Sequence, residues 1–276
     1  MAQITRVELT NAPAATIELF DELDSTNSRM RERFTDHGER FSPFHTIATT
    51  SQTAGRGRLD REWSAPPGAS LAMSVYLEFD AAAARDSIGW VSLAGGLAVV
   101  EAVRTLAPQL ADRVRVKWPN DVLIDGLKVC GILGELLGVV DGGRAFACVL
   151  GIGVNVALEQ DALPTPTSTS LLLSGASVEP DALAAAIVRA LATRMVALAA
   201  AGGDADAAGL RAELTEVSST VGARVRITLP GNDLLEGRAV GIGAGGELEI
   251  EDADGTRLVN VGDVEHVRPL EGGWTQ

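Results

Sequence analysis

The stretch from residue 117 to residue 135, KWPNDVLIDGLKVCGILGE, constrains the fold of this chain more than any other. Two runs of β-branched and apolar residues flank Asp125-Gly126, and such a dipeptide accepts the positive φ angles of a two-residue hairpin turn. The pattern therefore predicts a β-hairpin in which Leu123 pairs with Lys128. A lysine then lies on a sheet face just beyond a tight turn.

Alternation of side chains along the strands would place Lys128 on one half-buried face with Cys130, Ile132, Asp121 and Leu123. A buried ammonium group needs a partner, because its desolvation alone is costly. Asp121 could be that partner, and so could the carboxylate or phosphate of a ligand. The hairpin taken alone favours a third interpretation, in which the lysine stem lies along the surface and its ammonium group reaches solvent.

A second unusual stretch, QTAGRGRLDREW at residues 52–63, places two glycines between and beside two arginines. Glycine lets a backbone approach a ligand closely, and arginine offers a planar fork of donors to carboxylates and phosphates. The composition indicates a loop that closes over an anion. The alternative is a solvated basic turn in an acidic protein.

The overall composition limits the possible partners. The chain has 276 residues, 46% of them hydrophobic, and a formal net charge of −14, which argues against a nucleic-acid-binding surface. Cys130 and Cys148 lie in apolar runs, so we expect reduced core residues of a cytoplasmic protein. The three histidines lack metal-ligand spacing. No secretory leader and no membrane-spanning run is recognisable.

Five motifs in this order resemble the biotin protein ligases: DSTN at 24–27, QTAGRGR at 52–58, KWPND at 117–121, GLKVCGIL at 126–133 and GIGVN at 151–155. The resemblance implies an α+β fold, with a class II synthetase-like mixed sheet flanked by helices in residues 1–217. Short strands after Ser218 suggest a small β-barrel, which the resemblance identifies as an SH3-like barrel in residues 218–276. About twenty residues precede DSTN, which is too short for a helix-turn-helix domain and predicts a monofunctional ligase.

The resemblance implies that biotin and ATP form biotinyl-5′-AMP and that biotin then passes to a lysine of a biotin carboxyl carrier domain of a biotin-dependent carboxylase. Two anions must meet in the first step, so preorganised cations are required. Lys128 would bridge the biotin carboxylate and the α-phosphate, and Arg58 and Arg61 would close over the phosphates. Lys117 and Mg²⁺ would assist, with Mg²⁺ held through the ATP phosphates and no dedicated protein cage.

The resemblance also assigns the contacts residue by residue. Lys128 and Arg58 are the expected catalytic residues. The expected biotin-binding residues are Ser25, Thr26, Asn27, Gln52, Arg56, Gly57, Arg58, Lys128, Gly131, Gly151 and Gly153. The expected ATP-binding residues are Arg58, Arg61, Lys117, Asn120, Lys128 and Asn155. Leu59-Asp60 departs from the family pattern, which has a basic or small residue and then glycine.

Other functions remain possible from the sequence. A lipoate ligase would share the fold and the adenylation chemistry, and a biotin-sensing module would need a DNA-binding or partner-binding element that is not visible. A G-x-G-x-x-G pattern at residues 241–246 precedes a strand-like run rather than a helix, so we interpret it as a β-turn. No P-loop pattern occurs. We expect a monomer or a weak, ligand-linked homodimer without membrane contact.

Overall fold

The structure is a computed structural model that describes residues 2–58, 61–83, 87–231, 233–260 and 262–266. Four α-helices occur in it: α1 (Thr26–Thr35), α2 (Trp90–Leu106), α3 (Pro180–Ala200) and α4 (Leu210–Val217). Ten strands come from the first 155 residues: β1 (Gln3–Val7), β2 (Ala15–Phe20), β3 (Thr46–Thr49), β4 (Gly55–Arg56), β5 (Glu62–Trp63), β6 (Ser70–Asp80), β7 (Val114–Lys117), β8 (Asp121–Ile124), β9 (Leu127–Val140) and β10 (Ala145–Asn155).

Eight of these strands form one mixed sheet in the order β1-β2-β3-β6-β10-β9-β8-β7, and β4 pairs with β5 in a separate two-stranded ribbon. The pair β2 and β3 is parallel, whereas the β6–β10 and β10–β9 pairs at the centre are antiparallel. The long central strands β6 and β10 are almost wholly buried, which explains their near-continuous apolar sequence.

Helices α2 and α3 pack against each other and cover one face of the sheet. Two glycines of α2 allow a close approach, since a Cβ on Gly95 would lie 3.1 Å from Leu150 Cδ2 and one on Gly96 3.2 Å from Val116 Cγ1. Helix α3 is long and apolar enough to cross a membrane, but 56% of its most apolar window is buried inside the fold. That burial is what a core helix shows.

The hairpin of β8 and β9 has the predicted turn but not the predicted alternation. Leu123 pairs with Lys128 as expected, and the register then shifts so that Val122 pairs with Cys130. The extra residue on β9 is a β-bulge, and one added residue reverses the facing of all side chains beyond it. The predicted shared face is therefore wrong for Cys130 and Ile132, which are buried in the core on the α2 side.

The chain beyond α4 forms a second sheet of five antiparallel strands in the order β14-β13-β12-β11-β15: β11 (Arg224–Thr228), β12 (Leu234–Ile242), β13 (Leu248–Asp252), β14 (Gly255–Val259) and β15 (Asp263–His266). The prediction of a mixed sheet flanked by helices with a small C-terminal β domain is confirmed.

The turn between β12 and β13 carries the G-x-G-x-x-G pattern and connects the two sheets. Trp90 Nε1 donates to Ala244 O at 2.6 Å, and Trp118 Nε1 donates to Gly246 O at 2.9 Å. The pattern is thus a β-turn, as predicted, and two of its carbonyl groups accept hydrogen bonds from indole N–H groups of the larger sheet region.

Candidate active site

The face of the large sheet opposite α2 carries a floor of three glycines at its centre. Gly151 and Gly153 belong to β10, and Gly131 pairs with Gly153 from the neighbouring strand β9. The absence of side chains lets other groups lie directly on the backbone here. Three of the four predicted biotin-binding glycines therefore lie together on one surface.

Lys128 lies at one end of this floor. Its Nζ is 2.6 Å from Asp121 Oδ1, and its side chain is 35% exposed. A Cβ on Gly131 would lie 3.3 Å from Lys128 Nζ, so the ammonium group reaches over that glycine. Of the alternatives for Lys128, the partnered ammonium is the one that occurs. The bulge accounts for this, because it turns Gly131 to the same side as the lysine.

The backbone of Lys128 is held from the other side by a loop rich in threonine and serine. Lys128 N donates to Thr167 O and Thr169 N donates to Lys128 O, both at 2.8 Å. Asn155, at the end of β10, donates from Nδ2 to Thr169 O at 2.9 Å. One loop thereby fixes two residues of the predicted site. The side-chain amide of Asn155 is buried and uses one of its two N–H donors for the bond to this loop.

Trp63 covers the glycine floor from the β4–β5 ribbon. A Cβ on Gly153 would lie 2.5 Å from Trp63 Cε2, and one on Gly131 would lie 3.1 Å from Trp63 Cζ3. Trp63 Nε1 is buried, and no acceptor reaches it within the described part of the chain. Sequence reasoning missed this residue, although an aromatic side chain at the end of a glycine-arginine loop was an available signal.

The start of α1 forms a polar wall beside the floor. Ser25 caps the helix and accepts from Ser28 N at 3.3 Å. Gln52 Oε1 accepts from Thr26 N at 2.9 Å, which joins the loop to the helix. Asn27 contacts the floor itself, since a Cβ on Gly151 would lie 2.5 Å from Asn27 Oδ1. Four predicted biotin-binding residues are therefore neighbours.

The two arginines of the loop diverge. Arg56 Nη2 lies 3.2 Å from Glu135 Oε2, on the sheet side. Arg58 Nη1 donates to Asn120 Oδ1 at 2.9 Å, and its Nη2 donates to Gly262 O of the C-terminal domain at 3.3 Å. The structure brings together Arg58 and Asn120, two of the residues expected to bind ATP. Arg56 instead lies beside Glu135 of β9.

A cleft of about 670 Å³ lies between the two sheets beside Arg58, which is within the usual range for a small-molecule site. Its walls include the following residues: Arg58, Ser92, Trp118, Asn120, Leu133 and Glu247. The predicted nucleotide side of the site therefore opens into a space that the C-terminal domain helps to form.

Two further predicted ATP-binding residues, Lys117 and Arg61, lie on β7 and on the glycine-arginine loop. Lys117 pairs with Asp121 across the β7–β8 ladder, which places it next to the partner of Lys128. Arg61 is exposed, and its backbone carbonyl accepts from Gly57 N at 2.6 Å. Leu59-Asp60, the departure from the family pattern, lies outside the described residues.

The two cysteines take no part in this surface. Burial raises the pKa of Cys130 well above its ordinary value and raises that of Cys148 to about 12, so neither supplies a thiolate at neutral pH. In the described residues, no group of three or more His, Cys, Asp or Glu side chains could hold a metal ion. The charged groups that face the floor are cations and their carboxylate partners.

Comparison with known proteins agrees with this arrangement. Residues 21–155 match the model of the biotin/lipoate A/B protein ligase family, and residues 220–267 match that of the biotin protein ligase C-terminal domain. The biotin–[acetyl-CoA-carboxylase] ligase of Mycobacterium tuberculosis is 37% identical over 218 residues, which cover 79% of this chain and 77% of that protein. The chain belongs to the biotin protein ligase family.

Two further comparisons show how much of the chain is similar to known ligases. The bifunctional ligase/repressor BirA of Escherichia coli is 37% identical over 171 residues, which cover 61% of this chain but only 50% of that protein. A biotin protein ligase from Aquifex aeolicus, solved in complex with biotin and ATP, superposes with a TM-score of 0.72 at 21% identity and covers 92% of this chain and 99% of that one. The latter likeness establishes the fold over almost the whole chain.

Proposed function

We propose that this protein is an ATP-dependent biotin protein ligase that forms biotinyl-5′-AMP and transfers biotin to a lysine of a biotin carboxyl carrier domain. The observation that carries the proposal is the position of Lys128 over a glycine floor, with the Asp121 carboxylate as its ionic partner at 2.6 Å. An arriving anion can replace that carboxylate. The names of the related ligases support biotin as the substrate.

In the first step, a carboxylate oxygen of biotin attacks the α-phosphorus of ATP. A new oxygen–phosphorus bond forms, and the bond to the bridging oxygen breaks to release pyrophosphate. Negative charge grows around phosphorus, so fixed cations in a partly desolvated site lower the barrier. Lys128 is the residue for this role, because the loop of Thr167 to Thr169 holds its backbone on both sides.

In the second step, the neutral amine of an acceptor lysine attacks the acyl carbon of the adenylate. The amide bond forms, AMP leaves with the electron pair of the broken carbon–oxygen bond, and the amine loses a proton. We propose that the carrier domain belongs to a biotin-dependent carboxylase, which the names of the related carboxylase ligases support.

The arrangement of side chains suggests how the substrates lie. The ring of biotin would meet the polar wall of Ser25, Thr26, Asn27 and Gln52, and its valeryl chain would cross the glycine floor towards Lys128. The nucleotide would lie on the side of Asn120 and Arg58, beside the cleft between the sheets. Arg61, Lys117 and Asn155 are proposed to line the same side.

ATP would enter as its magnesium complex. Mg²⁺ bound to nucleotides takes most of its ligands from phosphates and water and few from protein. Asp121 offers a carboxylate next to Lys128, and that small protein contribution fits such an ion. We write MgATP as the substrate and assign no resident metal to the protein.

We further propose a catalytic domain over residues 1–217 and a C-terminal domain over residues 218–276, in a cytoplasmic protein that is monomeric or forms a weak ligand-linked homodimer. The five-stranded sheet that begins at Arg224 and the family match at residues 220–267 support that boundary.

One mass measurement tests the reaction. The protein is incubated with MgATP, biotin and a carboxylase carrier domain, and the carrier domain is weighed. We expect the mass increment of one biotinyl group, with no increment when ATP is omitted or the carrier lysine is replaced. Lipoate in place of biotin should give no product. Lipoylation without biotinylation would make the protein a lipoate ligase, and the absence of both would exclude a ligase acting on this carrier.

A further inference from the structure

We propose that Glu135 and Ser74 are positioning residues, which fix the side-chain amide of Asn27 with its oxygen towards the glycine floor and thereby select a ligand ring that carries N–H donors. The inference deepens the proposed function and rests on it. Neither residue is expected to touch the reacting atoms, and both act through Asn27.

The carboxylate of Glu135 faces the nitrogen of the Asn27 amide. Asn27 Nδ2 lies 2.7 Å from Glu135 Oε2, and Asn27 is 5% exposed. An ionised carboxylate only accepts hydrogen bonds, so the nitrogen of the amide has to face it. The opposite orientation would set two acceptor oxygens against each other in a buried place.

Ser74, which is completely buried on β6, contacts the oxygen of the same amide. Ser74 Oγ lies 2.5 Å from Asn27 Oδ1 and 2.8 Å from Thr26 Oγ1. A carbonyl oxygen cannot donate, so the serine hydroxyl donates to Asn27. A serine hydroxyl can also accept, so Glu135 sets the orientation of the amide and Ser74 stabilises it through the oxygen.

The oxygen held in this way lies over the floor, because a Cβ on Gly151 would be 2.5 Å from it. An amide oxygen accepts two hydrogen bonds, and Ser74 uses one of them. The other faces the place proposed for the ligand ring. A ureido ring offers two N–H donors to such an acceptor, whereas a dithiolane ring offers none.

Glu135 is itself held in place by two arginines. Its Oε1 lies 3.2 Å from Arg31 Nη2, its Oε2 lies 3.2 Å from Arg56 Nη2, and its side chain is 19% exposed. A partly buried carboxylate with three donors is a rigid reference point. Replacement of Glu135 would release both Asn27 and Arg56, while replacement of Ser74 would loosen only the oxygen end of Asn27 and leave Arg56 in place.

The experiment uses this difference. Steady-state biotin KM and kcat are measured for wild type, Ser74→Ala and Glu135→Gln, together with the two cyclic carbamate analogues of biotin in which oxygen replaces one ureido N–H. The control is Glu18→Gln, because Glu18 is a half-buried carboxylate that holds Arg33 at the other end of α1. Thermal unfolding is recorded for each variant.

Loss of the oriented acceptor should raise biotin KM roughly 10- to 100-fold in Glu135→Gln and by a smaller factor in Ser74→Ala, with kcat at saturating biotin changed by less than about threefold. Wild type should reject one carbamate roughly 10- to 100-fold relative to biotin. Glu135→Gln should lose most of that preference, because its Asn27 amide can turn the nitrogen to the ligand, and Ser74→Ala should lose part of it, because Glu135 still holds that nitrogen. Glu18→Gln should behave as wild type.

Unchanged discrimination in both variants overturns the inference, and so does an equal loss in Glu18→Gln, which would mean a general effect on α1. A loss confined to Glu135→Gln would assign the effect to Arg56 and also overturn it. Should Ser74→Ala not fold, Ser74→Cys takes its place, since cysteine donates only weakly. Failure of wild type to use biotin at all would remove the proposed function together with this inference.

Discussion

Lys128 Nζ and Asp121 Oδ1 lie 2.6 Å apart across a β-bulge that places the lysine on the face opposite the helical core. The carboxylate keeps the ammonium group in position without a ligand. A biotin carboxylate or an α-phosphate has to compete with it, so the pair defines where an anion binds.

Lys128→Ala should abolish adenylate formation while the fold is kept. The side chain is 35% exposed, so its truncation leaves no large cavity. Loss of one preorganised donor to a developing anion commonly reduces kcat by roughly 100- to 1,000-fold. Pyrophosphate release from biotin and MgATP measures the effect, with circular dichroism as the control for folding. Release at the wild-type rate would refute the role assigned to Lys128.

Gly153→Ala should displace the indole of Trp63 and weaken biotin binding by at least roughly 10-fold, since the new methyl group would lie 2.5 Å from Trp63 Cε2. Gly138→Ala is the matched control in β9, because its Cβ would meet only Phe34 Cε1 at 3.7 Å. Tryptophan emission and equilibrium dialysis with labelled biotin follow the two effects. Wild-type binding by the Gly153 variant would show that the floor tolerates side chains.

Much of the site follows from short-range pattern. The Ser25 cap, the Asp125-Gly126 turn and the apolar run of β10 are each specified by neighbouring residues, and all were predictable. The motif resemblance then grouped residues that the structure places around one floor. For Lys128 the local pattern offered Asp121 as one possible partner but favoured an ammonium group in solvent, whereas the structure has the Asp121 contact at 2.6 Å.

The rest depends on contacts between distant residues. The bulge at Val129 adds one apolar residue to an apolar strand, and its composition gives no sign of it. Trp63 meets Gly153 only after the ribbon folds over the sheet. Glu135 and Asn27 are 108 residues apart in the chain. Only Ser74, a buried hydroxyl within an apolar strand, carried a signal that sequence reasoning could have used.

Acid should destabilise the protein partly through His45. Burial lowers its pKa below the ordinary value of 6.5, despite the opposing charges of Glu18 and Glu39, and Arg33 lowers it further. The unfolded chain then takes up the proton first, so the free energy of unfolding falls as the pH drops from about 6.5 towards the folded-state pKa. Below that pKa the contribution is constant.

The test for His45 is urea unfolding at several pH values between 5 and 8. His45→Gln should flatten the dependence on pH in this range, whereas His37→Gln, at an exposed position, should leave it as in wild type. Parallel curves for wild type and His45→Gln would show that His45 does not titrate with folding.

Specific binding to duplex DNA should be absent at physiological salt, with or without biotin. The net charge of −14 opposes the negatively charged phosphate backbone of DNA. Electrophoretic mobility of random and promoter fragments gives the answer. A sequence-selective, salt-sensitive shift would contradict the prediction of a monofunctional ligase.

Arg58 is expected to retain the adenylate. Its guanidinium group joins Asn120, between β7 and β8, to Gly262, just before β15, at 2.9 Å and 3.3 Å. Arg58→Gly removes this link and leaves Lys128 with its partner, so some adenylation should persist. The loop would no longer hold the mixed anhydride, and biotinyl-5′-AMP should escape into solvent.

Free biotinyl-5′-AMP acylates exposed lysine amines without an acceptor domain. Arg58→Gly should therefore label an unrelated lysine-rich protein at least roughly 10-fold more than wild type at equal adenylate production, if the clamp contributes as much as one charge-assisted hydrogen bond. Arg144→Gly, an exposed arginine in the turn between β9 and β10, is the control for loss of a surface charge. Labelling is measured by streptavidin blot after the adenylate yields have been matched. Equal labelling by all three proteins would show that Arg58 does not retain the intermediate.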